Sequence, residues 1–413
     1  MAPVETVCVV GLGYIGLPTS VILAKAGYQV VGVDVSERAV AAINSGKAHI
    51  VEPDLDGLLR HVVDAGLLQA QTHPEPAEVF VIAVPTPFRG DHEPDLSFVE
   101  SAARSIAPHV EPGALVILES TVPPGATEQM VEWILEERPD LSAPGTGEGA
   151  FYAAHCPERV LPGRILVELV DNDRVVGGVD AESTAVASRF YRGFVRGECV
   201  GTTARTAELA KLAENAFRDS NIAFANELSI VAQELGVDAH ELVALANRHP
   251  RVNILNPGPG VGGHCIAVDP WFIVDAAPEQ TPFIRAARET NLRKTDWVVG
   301  QILERAERHG ASSIALLGLA YKANVDDLRE SPSVEVAEAV IASDFAGDVW
   351  LVEPHIDELP ARLNGSQDRL VSLDTISQPG TLFVGLVGHR AFEGLPAQLE
   401  DPLLVYDVCG MWR

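Results

Sequence analysis

The sequence predicts an α/β fold in which two Rossmann-like, doubly wound sheets are joined by a central helical domain. A β-branched run from Thr6 to Val10 ends in a glycine turn and leads into a helix-compatible stretch, which is how such a sheet begins. A second strand ending in glycine begins at Ser313, and the apolar residues between the two units recur with helical spacing. We therefore expect domains at residues 1–200, 201–308 and 309–413.

Chain length and charge limit the possible functions. The 413 residues are 47% hydrophobic, which is enough for two or three domains of ordinary size. The formal net charge of -28 disfavours nucleic acid and anionic membranes as partners, because both need clustered cations. A small anionic substrate remains compatible with this charge, since it needs only a local basic pocket.

Cysteine usage and the N-terminus predict a cytoplasmic protein without a bound metal. The five cysteines are scattered and lack paired metal-ligand spacing, and an odd, sparse set fits a reducing compartment better than a disulfide framework. The first apolar run has no basic segment before it, which disfavours a signal peptide. No apolar stretch approaches the roughly 20 residues of a membrane span.

The first strand is followed by a dinucleotide-binding fingerprint. Gly11 permits a tight turn, Gly13 lets a pyrophosphate approach the backbone, and Gly16 allows close packing of the next helix, predicted from residue 17 to 26. A second strand over residues 28–33 is closed by Asp34, at about the 20-residue distance where an acid binds the adenosine ribose. This acid would repel a 2′-phosphate, so we expect NAD rather than NADP.

The next strands of this sheet are predicted at residues 79–84 and 114–118, and each ends in polar turn residues. Because ligands bind beyond the carboxyl ends of parallel strands, Thr86 and Thr121 are expected near the nicotinamide half of the cofactor. Capping of the turns explains both threonines equally well from their spacing alone.

A long helix is predicted from about residue 203 to 235, with Lys211, Asn215 and Arg218 on one face. A polar stripe of this kind usually faces solvent. Here the sequence contains only five lysines, which favours a function for this one. A second helix, predicted from about residue 283 to 308, completes a helical middle domain that is a candidate dimer interface.

Between these helices, Cys265 lies among closely spaced glycines, with Asp269 just beyond. Glycines allow positive φ and close backbone approach, so the sulfur can be presented at a cleft. An isolated cysteine is more often a small buried packing residue. A nucleophilic sulfur together with a hydride acceptor indicates oxidation of an alcohol past the aldehyde to an acid.

The last α/β unit has a strand at residues 313–318 and then Tyr321 and Lys322, with a helix from about residue 333. Further strands are predicted at residues 348–352, 381–387 and 404–408. The unit lacks a full glycine fingerprint. It is therefore predicted to contact a phosphate or nucleotide without forming a second NAD site.

Taken together, these segments resemble the nucleotide-sugar 6-dehydrogenases, the family that contains the UDP-glucose dehydrogenases, from end to end. The matching stretches are residues 10–18, 156–160, 206–218, 247–253, 258–269 and 329–332. His264 before the cysteine and Ala267-Val268 before Asp269 depart from the UDP-glucose enzymes, which typically have Ser and Pro-Lys there. This departure resembles family members acting on N-acetylated sugars, and residues 247–253 point to the N-acetylmannosamine branch.

The resemblance implies a UDP-sugar substrate oxidised twice, by two NAD molecules in turn, in a homodimer or larger homo-oligomer. The implied catalytic residues are Cys265, Lys211, Asn215, Asp269, Glu158 and Thr121. The implied cofactor-binding residues are Gly11, Gly13, Tyr14, Ile15, Gly16, Asp34, Thr86, Thr121 and Arg329. The implied substrate-binding residues are Arg159, Val160, Lys211, Asn215, Arg218, His249, Arg251, Gly262, Tyr321 and Lys322, with a structural role equally compatible for His249.

Alternatives remain open at this point. UDP-N-acetylglucosamine or UDP-glucose would serve as substrate for closely similar residues. A two-electron hydroxy-acid dehydrogenase also uses a Lys-x-x-x-Asn helix beside a dinucleotide fold, but it would need no Cys265 and would yield one NADH per substrate. A non-catalytic NAD sensor would be expected to lack part of the catalytic set, which is complete here.

Overall fold

A computed structural model describes residues 5–90, 92–161, 163–263, 265–376, 379–398 and 404–412. The chain divides into two compact units, Met1–Ala213 and Glu214–Arg413. The three-domain division at residues 200 and 308 stays a prediction. None of the described helices is long and apolar enough to cross a membrane.

The first unit is built around a sheet whose described strands follow the order β10-β9-β8-β7-β4-β1-β2-β3. The strands of this sheet are β1 (Thr6–Val10), β2 (Gln29–Val33), β3 (Leu68–Gln71), β4 (Val79–Ile82), β7 (Leu115–Leu118), β8 (Tyr152–His155), β9 (Arg174–Gly178) and β10 (Cys199–Thr203). A separate short hairpin consists of β5 (Phe88–Arg89) and β6 (Glu93–Pro94). Neighbouring strands of the sheet run parallel except for the β8–β9 pair. Strand order reverses between β1 and β4, which is where such sheets bind ligands.

Helices cover both faces of this sheet. They are α1 (Gly16–Lys25), α2 (Glu37–Asn44), α3 (Leu55–Asp64), α4 (Ser97–Ile106), α5 (Ala126–Glu137), α6 (Ile165–Asp171) and α7 (Ala181–Tyr191). Alternate residues of β1 enter two different apolar clusters: Val7 and Val9 pack in one, Cys8 and Val10 in the other. A strand covered on both faces is apolar throughout, which explains why β1 was predictable from its β-branched run.

The second unit contains a helical part and a smaller parallel sheet of order β12-β11-β13-β14 among its described strands. Helix α8 (Ala204–Glu234) starts in the first unit and continues into the second. The remaining elements are α9 (Ala239–Ala246), α10 (Asp269–Ala276), α11 (Pro282–Arg308), β11 (Ser313–Leu317), α12 (Pro332–Ile341), β12 (Asp348–Val352), β13 (Thr381–Gly385) and β14 (Val405–Asp407).

A buried polar network joins α8 to α11. Arg288 donates to Asp219 across 2.5 Å, and both side chains are almost fully buried. Asn291 donates to Asp219 at 2.8 Å and accepts from Asn226 at 2.9 Å. Buried charges and amides of this kind are tolerated where each is paired, and they fix the register of the two helices.

Most predicted boundaries lie within two residues of the observed ones, and two differences have a structural reason. The strand predicted to residue 84 ends at Ile82. The next residue, Ala83, lies against the glycine turn: its N–H donates to the Val10 carbonyl at 2.8 Å, and a Cβ added at Gly11 would lie 2.6 Å from its carbonyl oxygen. Strands β3, β8, β9 and β10 and the short β5–β6 hairpin were not predicted. β9 ends in two glycines and β10 has mostly exposed side chains, so neither carries the apolar run of a buried parallel strand.

Candidate active site

The glycine turn after β1 has one open position and two crowded ones. Gly11 adopts φ +91 and its N–H donates to the Val33 carbonyl at 2.8 Å. A Cβ on Gly16 would lie 1.7 Å from the Gly11 oxygen, whereas a Cβ on Gly13 would meet no heavy atom within 4 Å. Gly11 and Gly16 are therefore needed by the turn itself, and Gly13 leaves space in front of α1.

This space suits a pyrophosphate. The first turn of α1 carries no acidic side chain, so the positive end of the helix dipole is not neutralised from within the chain. Tyr14 is exposed beside Gly13, and Ile15 is half-buried. The residues present fit the dinucleotide that the sequence predicts.

Asp34 is oriented by two backbone donors at the end of β2. Its Oδ2 accepts from the Leu12 N–H at 3.0 Å and its Oδ1 from the Ser36 N–H at 2.9 Å. The side chain is half-buried. Each carboxylate oxygen keeps a further acceptor position, which is what recognition of ribose hydroxyls requires.

Two threonines at the carboxyl ends of neighbouring strands are hydrogen-bonded to each other. Thr86 donates its hydroxyl to the Thr121 carbonyl at 2.6 Å, and Ser120 donates to the Val84 carbonyl at 2.7 Å. These bonds hold the loops after β4 and β7 together, which is the turn-stabilising role considered from the sequence. Neither bond uses the Thr121 hydroxyl.

Below this edge lies a buried network that the sequence did not reveal. Glu119 is fully buried and accepts from the Tyr191 hydroxyl at 2.7 Å. Burial raises the pKa of Glu119 to about 7. Arg174 lies 5.7 Å from the centre of the Tyr191 ring and donates to Glu158 at 2.6 Å. These partners lie far apart along the chain and have no shared sequence pattern.

The position of Glu158 favours a structural role over the role of a base. Its Oε2 accepts from Arg174, and its Oε1 accepts from the backbone N–H of Arg159 at 2.6 Å. The side chain is buried. Arg159 in turn donates to the Asp173 carbonyl at 2.7 Å, and Val160 packs against the apolar cluster around Ile165.

In the second unit, two predicted catalytic residues meet. Asn215, on α8, donates from Nδ2 to Oδ2 of Asp269 across 2.5 Å, and both side chains are buried. Asp269 is the first residue of α10, and its N–H donates to the Cys265 carbonyl at 2.9 Å. Lys211 lies one turn before Asn215 on α8 and is half-buried.

Cys265 is the exposed member of the five cysteines. Cys8, Cys156 and Cys199 are buried and Cys409 is partly buried, as expected for packing residues. Burial raises the pKa of Cys8, Cys156 and Cys409 to about 12, which makes those thiols poor nucleophiles. His264 lies outside the described residues.

The glycines before Cys265 provide the positive φ and the close approach that were expected, with φ +83 at Gly263. A Cβ on Gly262 would lie 2.2 Å from the Glu330 oxygen, and one on Gly263 would lie 3.1 Å from the Tyr321 ring. These glycines let the cysteine loop pack against the segment after β11. The loop is held from the other side by Asn226, whose Oδ1 accepts from the Gly258 N–H at 2.9 Å.

The segment at residues 247–253 is shaped by an amide clamp. Asn247 donates to the Ile254 carbonyl at 2.8 Å and accepts from the Ile254 N–H at 2.7 Å. His249 and Arg251 are exposed on the turn that this clamp closes, and Arg218 is exposed on α8. A set of exposed cations on an acidic protein is a reasonable site for phosphate.

Beyond β11, Tyr321 is half-buried and Lys322 is exposed. The Tyr321 N–H donates to the Asp327 carbonyl at 3.0 Å, which folds the segment back on itself. The guanidinium of Arg329 is paired with Asp327 at 2.6 Å. Its predicted contact with the cofactor would require that pair to be shared or broken.

Glu353, His355 and His389 are close enough together for a metal, the only such group among the described residues. The hydrogen bonds argue against one. His389 accepts at Nδ1 from the Asn324 N–H at 3.0 Å, so the ring proton is on Nε2, which faces Glu353 at 3.1 Å. A metal-ligating histidine instead donates its second N–H to the protein.

The fold and the glycine turn define an NAD-dependent oxidoreductase. Comparison with known proteins is more specific: the UDP-glucose/GDP-mannose dehydrogenase family matches with its NAD binding domain at residues 5–195, its central domain at 205–293 and its UDP binding domain at 315–413. The chain belongs to this family. It is an NAD-dependent UDP-sugar dehydrogenase, and the predicted fold class, family and cofactor are confirmed.

Individual relatives cover nearly the whole chain. It is 54% identical to an NDP-N-acetyl-D-galactosaminuronic acid dehydrogenase of Ralstonia nicotianae, over 99% of this chain and 96% of the relative. It is 52% identical to the UDP-N-acetyl-D-mannosamine dehydrogenase of Escherichia coli, over 99% of both chains. The solved UDP-D-ManNAc dehydrogenase of Pyrococcus horikoshii superposes with a TM-score of 0.86 at 38% identity, over 99% of this chain and 96% of that one.

Proposed function

We propose that the enzyme oxidises the C6 hydroxyl of UDP-N-acetyl-D-mannosamine to the carboxylate, in a four-electron reaction through a covalent intermediate on Cys265. The observation that carries this proposal is the exposed thiol of Cys265 four residues before Asp269, whose buried carboxylate accepts from Asn215 at 2.5 Å. A two-electron dehydrogenase has no need for an exposed thiol beside such a pair.

The substrate proposal depends on the relatives. Proteins named UDP-N-acetyl-D-mannosamine dehydrogenase match at 52% identity over the full chain, and two solved ones match at 38%. The 54% identity to an enzyme named for N-acetyl-D-galactosaminuronic acid makes the corresponding N-acetylgalactosamine nucleotide a competing candidate. Both names agree on an N-acetylated sugar, which supports that class over UDP-glucose.

The first half-reaction requires removal of a proton from the C6 hydroxyl. When bound, NAD accepts a hydride from the sugar carbon, once in each half-reaction. Lys211, directly or through a water held with Asn215, takes the hydroxyl proton and stabilises the developing oxyanion. The product of this step is an aldehyde at C6.

Cys265 then acts on the aldehyde. Its thiolate attacks C6, a carbon–sulfur bond forms, and the oxyanion takes a proton to give a thiohemiacetal. Loss of that proton and of a second hydride leaves a thioester. Water oriented by Asp269, with help from Thr121, gives up a proton and attacks the thioester carbon. The carbon–sulfur bond then breaks, the sulfur leaves as thiolate, and the acid loses its remaining proton to solvent as the carboxylate is released. We assign Glu158 to anchoring the strand end.

The UDP moiety brings negative charge that the protein must neutralise locally. We assign its pyrophosphate to the exposed cations Arg218, Arg251 and Lys322, with His249 and Tyr321 beside them. Arginine suits this task because its guanidinium pairs bidentately with phosphate. Arg159 contributes through the loop that follows β8, and Gly262 through its backbone.

We further propose a homodimer or larger homo-oligomer formed through α8. Phe217, Phe224 and Val231 are 69%, 56% and 46% exposed on this helix. Successive members are seven residues, or about two helical turns, apart, so the three side chains lie in one stripe along the same face of α8. An exposed apolar stripe that contains aromatic residues is typical of a protein interface.

We place the reaction in the cytoplasm. None of the five cysteines forms a disulfide, and the proposed chemistry requires Cys265 to remain a thiol. Reducing compartments keep exposed thiols in that state.

A panel of nucleotide sugars tests the proposal. The enzyme is incubated with UDP-N-acetylmannosamine, UDP-N-acetylgalactosamine, UDP-N-acetylglucosamine and UDP-glucose, and NADH is counted per sugar consumed. We expect about two NADH per UDP-N-acetylmannosamine and a uronate detected by mass spectrometry. A ratio of one NADH per sugar would contradict the second oxidation. Faster turnover of another sugar would show that UDP-N-acetylmannosamine is not the preferred substrate.

The same assay tests the covalent step with Cys265→Ala. We expect uronate formation to be abolished while NAD binding, measured by calorimetry, is unchanged, because the thiol acts on the aldehyde and not on the cofactor. Cys409→Ala is the matched control and should keep full activity, since Cys409 is partly buried and its thiol is protonated. Uronate production by Cys265→Ala at the normal rate would contradict the mechanism.

A further inference from the structure

One carboxylate on α8 is buried although no substrate role was assigned to it. Glu208 is 0% exposed and lies three residues before Lys211 on the same helix. Its Oε1 accepts from the Thr127 N–H at 2.8 Å and from the Thr127 hydroxyl at 2.5 Å, and its Oε2 accepts from the Gly125 N–H at 2.7 Å. The donors come from the first turn of α5.

Burying this carboxylate is unfavourable in itself, and the fold compensates it with directed hydrogen bonds. Burial raises the pKa of Glu208, while the Thr127 and Gly125 donors oppose that rise. A helix N-terminus favours negative charge, so the α5 end is suited to hold a carboxylate. Only a carboxylate offers two acceptor oxygens to these donors, because a carboxamide has one.

A simple connection between α5 and α8 already exists elsewhere. Arg205, three residues before Glu208, is paired with Glu128 on α5 at 2.8 Å, and the two side chains are 70% and 36% exposed. Exposed pairs contribute little and allow movement. The buried carboxylate therefore adds something that the exposed pair does not, namely a fixed distance and angle between the two elements.

The Glu208 carboxylate accepts hydrogen bonds at the end of the loop that carries Thr121. This loop runs from the end of β7 to the start of α5, and the Thr86 hydroxyl holds its other end at the Thr121 carbonyl. Glu208 and Lys211 are about one turn apart on the same helix. Holding the Glu208 carboxylate at this loop therefore also fixes the position of the Lys211 Cα relative to the loop.

We propose that Glu208 is a positioning residue that fixes Lys211 relative to the strand-end loop of Thr121, and so aligns the proton-transfer group with the cofactor edge of the sheet. This inference rests on the proposed function, in which Lys211 takes the C6 proton. Glu208 itself touches neither substrate nor cofactor and acts through Lys211.

The test is Glu208→Gln in the full chain, with NADH formation from the best sugar of the panel as the measure. One of the two donor positions, Gly125 or Thr127, loses its acceptor, and α8 shifts. We expect kcat to fall by about 10- to 100-fold, the range for sub-ångström to 1 Å misplacement of a reacting group. The KM for the sugar and the Kd for NAD should change by less than about threefold, because the long side chain of Arg218 can follow a small shift of α8, whereas proton transfer needs Lys211 in place.

The matched control is Glu128→Gln, which breaks the exposed pair between the same two helices. Its kcat should stay within about twofold of the wild type. If Glu208→Gln also stays within that range, the buried carboxylate has no positioning role. If both variants lose activity equally, tethering of the helices in general is responsible, and the inference is equally wrong.

A double-mutant cycle separates positioning from general loss of stability. If Glu208 acts through Lys211, Glu208→Gln combined with Lys211→Ala should be no slower than Lys211→Ala alone, within about twofold. Multiplication of the two losses would overturn the proposal. Should Glu208→Gln fail to fold, Thr127→Val removes only the hydroxyl donor, and the same non-additivity with Lys211→Ala is expected.

Different results would contradict the proposed function and the positioning role of Glu208. A wild type that reduces no NAD with any sugar of the panel, or a fully active Lys211→Ala, contradicts the proposed function. An active wild type that depends on Lys211 but is insensitive to Glu208→Gln contradicts only the positioning role.

Discussion

The contrast between Gly13 and Gly16 gives a direct test of the cofactor site. Both belong to the same turn, but an added Cβ meets nothing within 4 Å at Gly13 and lies 1.7 Å from the Gly11 oxygen at Gly16. Gly13→Ala should therefore not destabilise the folded chain, whereas Gly16→Ala should destabilise it. The space left open at Gly13 is where we expect the pyrophosphate, so the first substitution should weaken NAD binding without disturbing the fold.

The expected magnitudes follow from these distances. Gly13→Ala should change the free energy of unfolding by between zero and about 1 kcal/mol in the stabilising direction, because alanine restricts the unfolded chain. Gly16→Ala must move the turn by more than an ångström, and overpacking of this kind costs about 1–3 kcal/mol. For a unit of this size that lowers Tm by about 2–12 °C. A methyl group against the pyrophosphate should raise the Kd for NAD at least about tenfold, or about 1.4 kcal/mol.

Thermal unfolding without cofactor and calorimetric titration with NAD measure the two effects separately. Gly57→Ala is the control, because Gly57 lies within α3 and its added Cβ also meets nothing within 4 Å. That variant should be slightly more stable and bind NAD normally. Wild-type NAD affinity in Gly13→Ala, or a loss of Tm equal to that of Gly16→Ala, would refute the proposed position of the pyrophosphate.

Two further predictions concern assembly and pH. Phe224→Glu places a charge in the exposed stripe of α8 and should convert the oligomer to a monomer, as measured by sedimentation velocity. The control Phe98→Glu, at an exposed position on α4, should leave the oligomer unchanged. A monomeric wild type would contradict the proposed oligomer. Burial lowers the pKa of Lys294 from 10.5 to about 7. Between pH 7 and 10 the Lys294 amine is therefore protonated in the unfolded chain but largely neutral in the folded one, so the free energy of unfolding rises with pH. We expect a rise of about 1–3 kcal/mol, because the cation–π contact with Trp297 favours the charged form and reduces the effect. Urea unfolding of Lys294→Met should lack that rise, and identical pH dependence in both proteins would show that Lys294 titrates normally.

The parts of the site that could be predicted from the sequence are those whose interacting residues lie close together along the chain. The glycine turn and Asp34 form a pattern within one strand–helix–strand unit, and their backbone bonds are those the pattern predicts. The bond between Asn215 and Asp269 joins residues 54 positions apart, and only the family resemblance brought them together beforehand.

The buried carboxylates were not predictable for the same reason. Glu119 meets Tyr191 across 72 positions and Glu208 meets Thr127 across 81, with nothing in the spacing to relate them. Glycine patterns have a related limit. They predicted the conformational freedom of the cysteine loop correctly but not the surface it approaches, which at Gly262 is the backbone of Glu330.

The C-terminal sheet explains why a partial fingerprint does not make a second NAD site. Gly318 donates to the Val352 carbonyl at 2.9 Å, as Gly11 does to Val33 at 2.8 Å, and the Leu319 N–H reaches Glu353 at 2.8 Å, as the Leu12 N–H reaches Asp34. The same turn is thus built twice, with an acid closing the second strand each time.

The two acids differ in what remains available to a ligand. Asp34 is half-buried, whereas the side chain of Glu353 is completely buried and also accepts from Ala320 and faces His389. Burial alone would raise the pKa of Glu353, but the bonds from His389 and the backbone lower it, so the carboxylate stays ionised and committed to the fold. An acid in that state cannot reach a ribose. It holds instead the start of the segment that carries Tyr321 and Lys322, the side chains that we propose bind the substrate in this lobe.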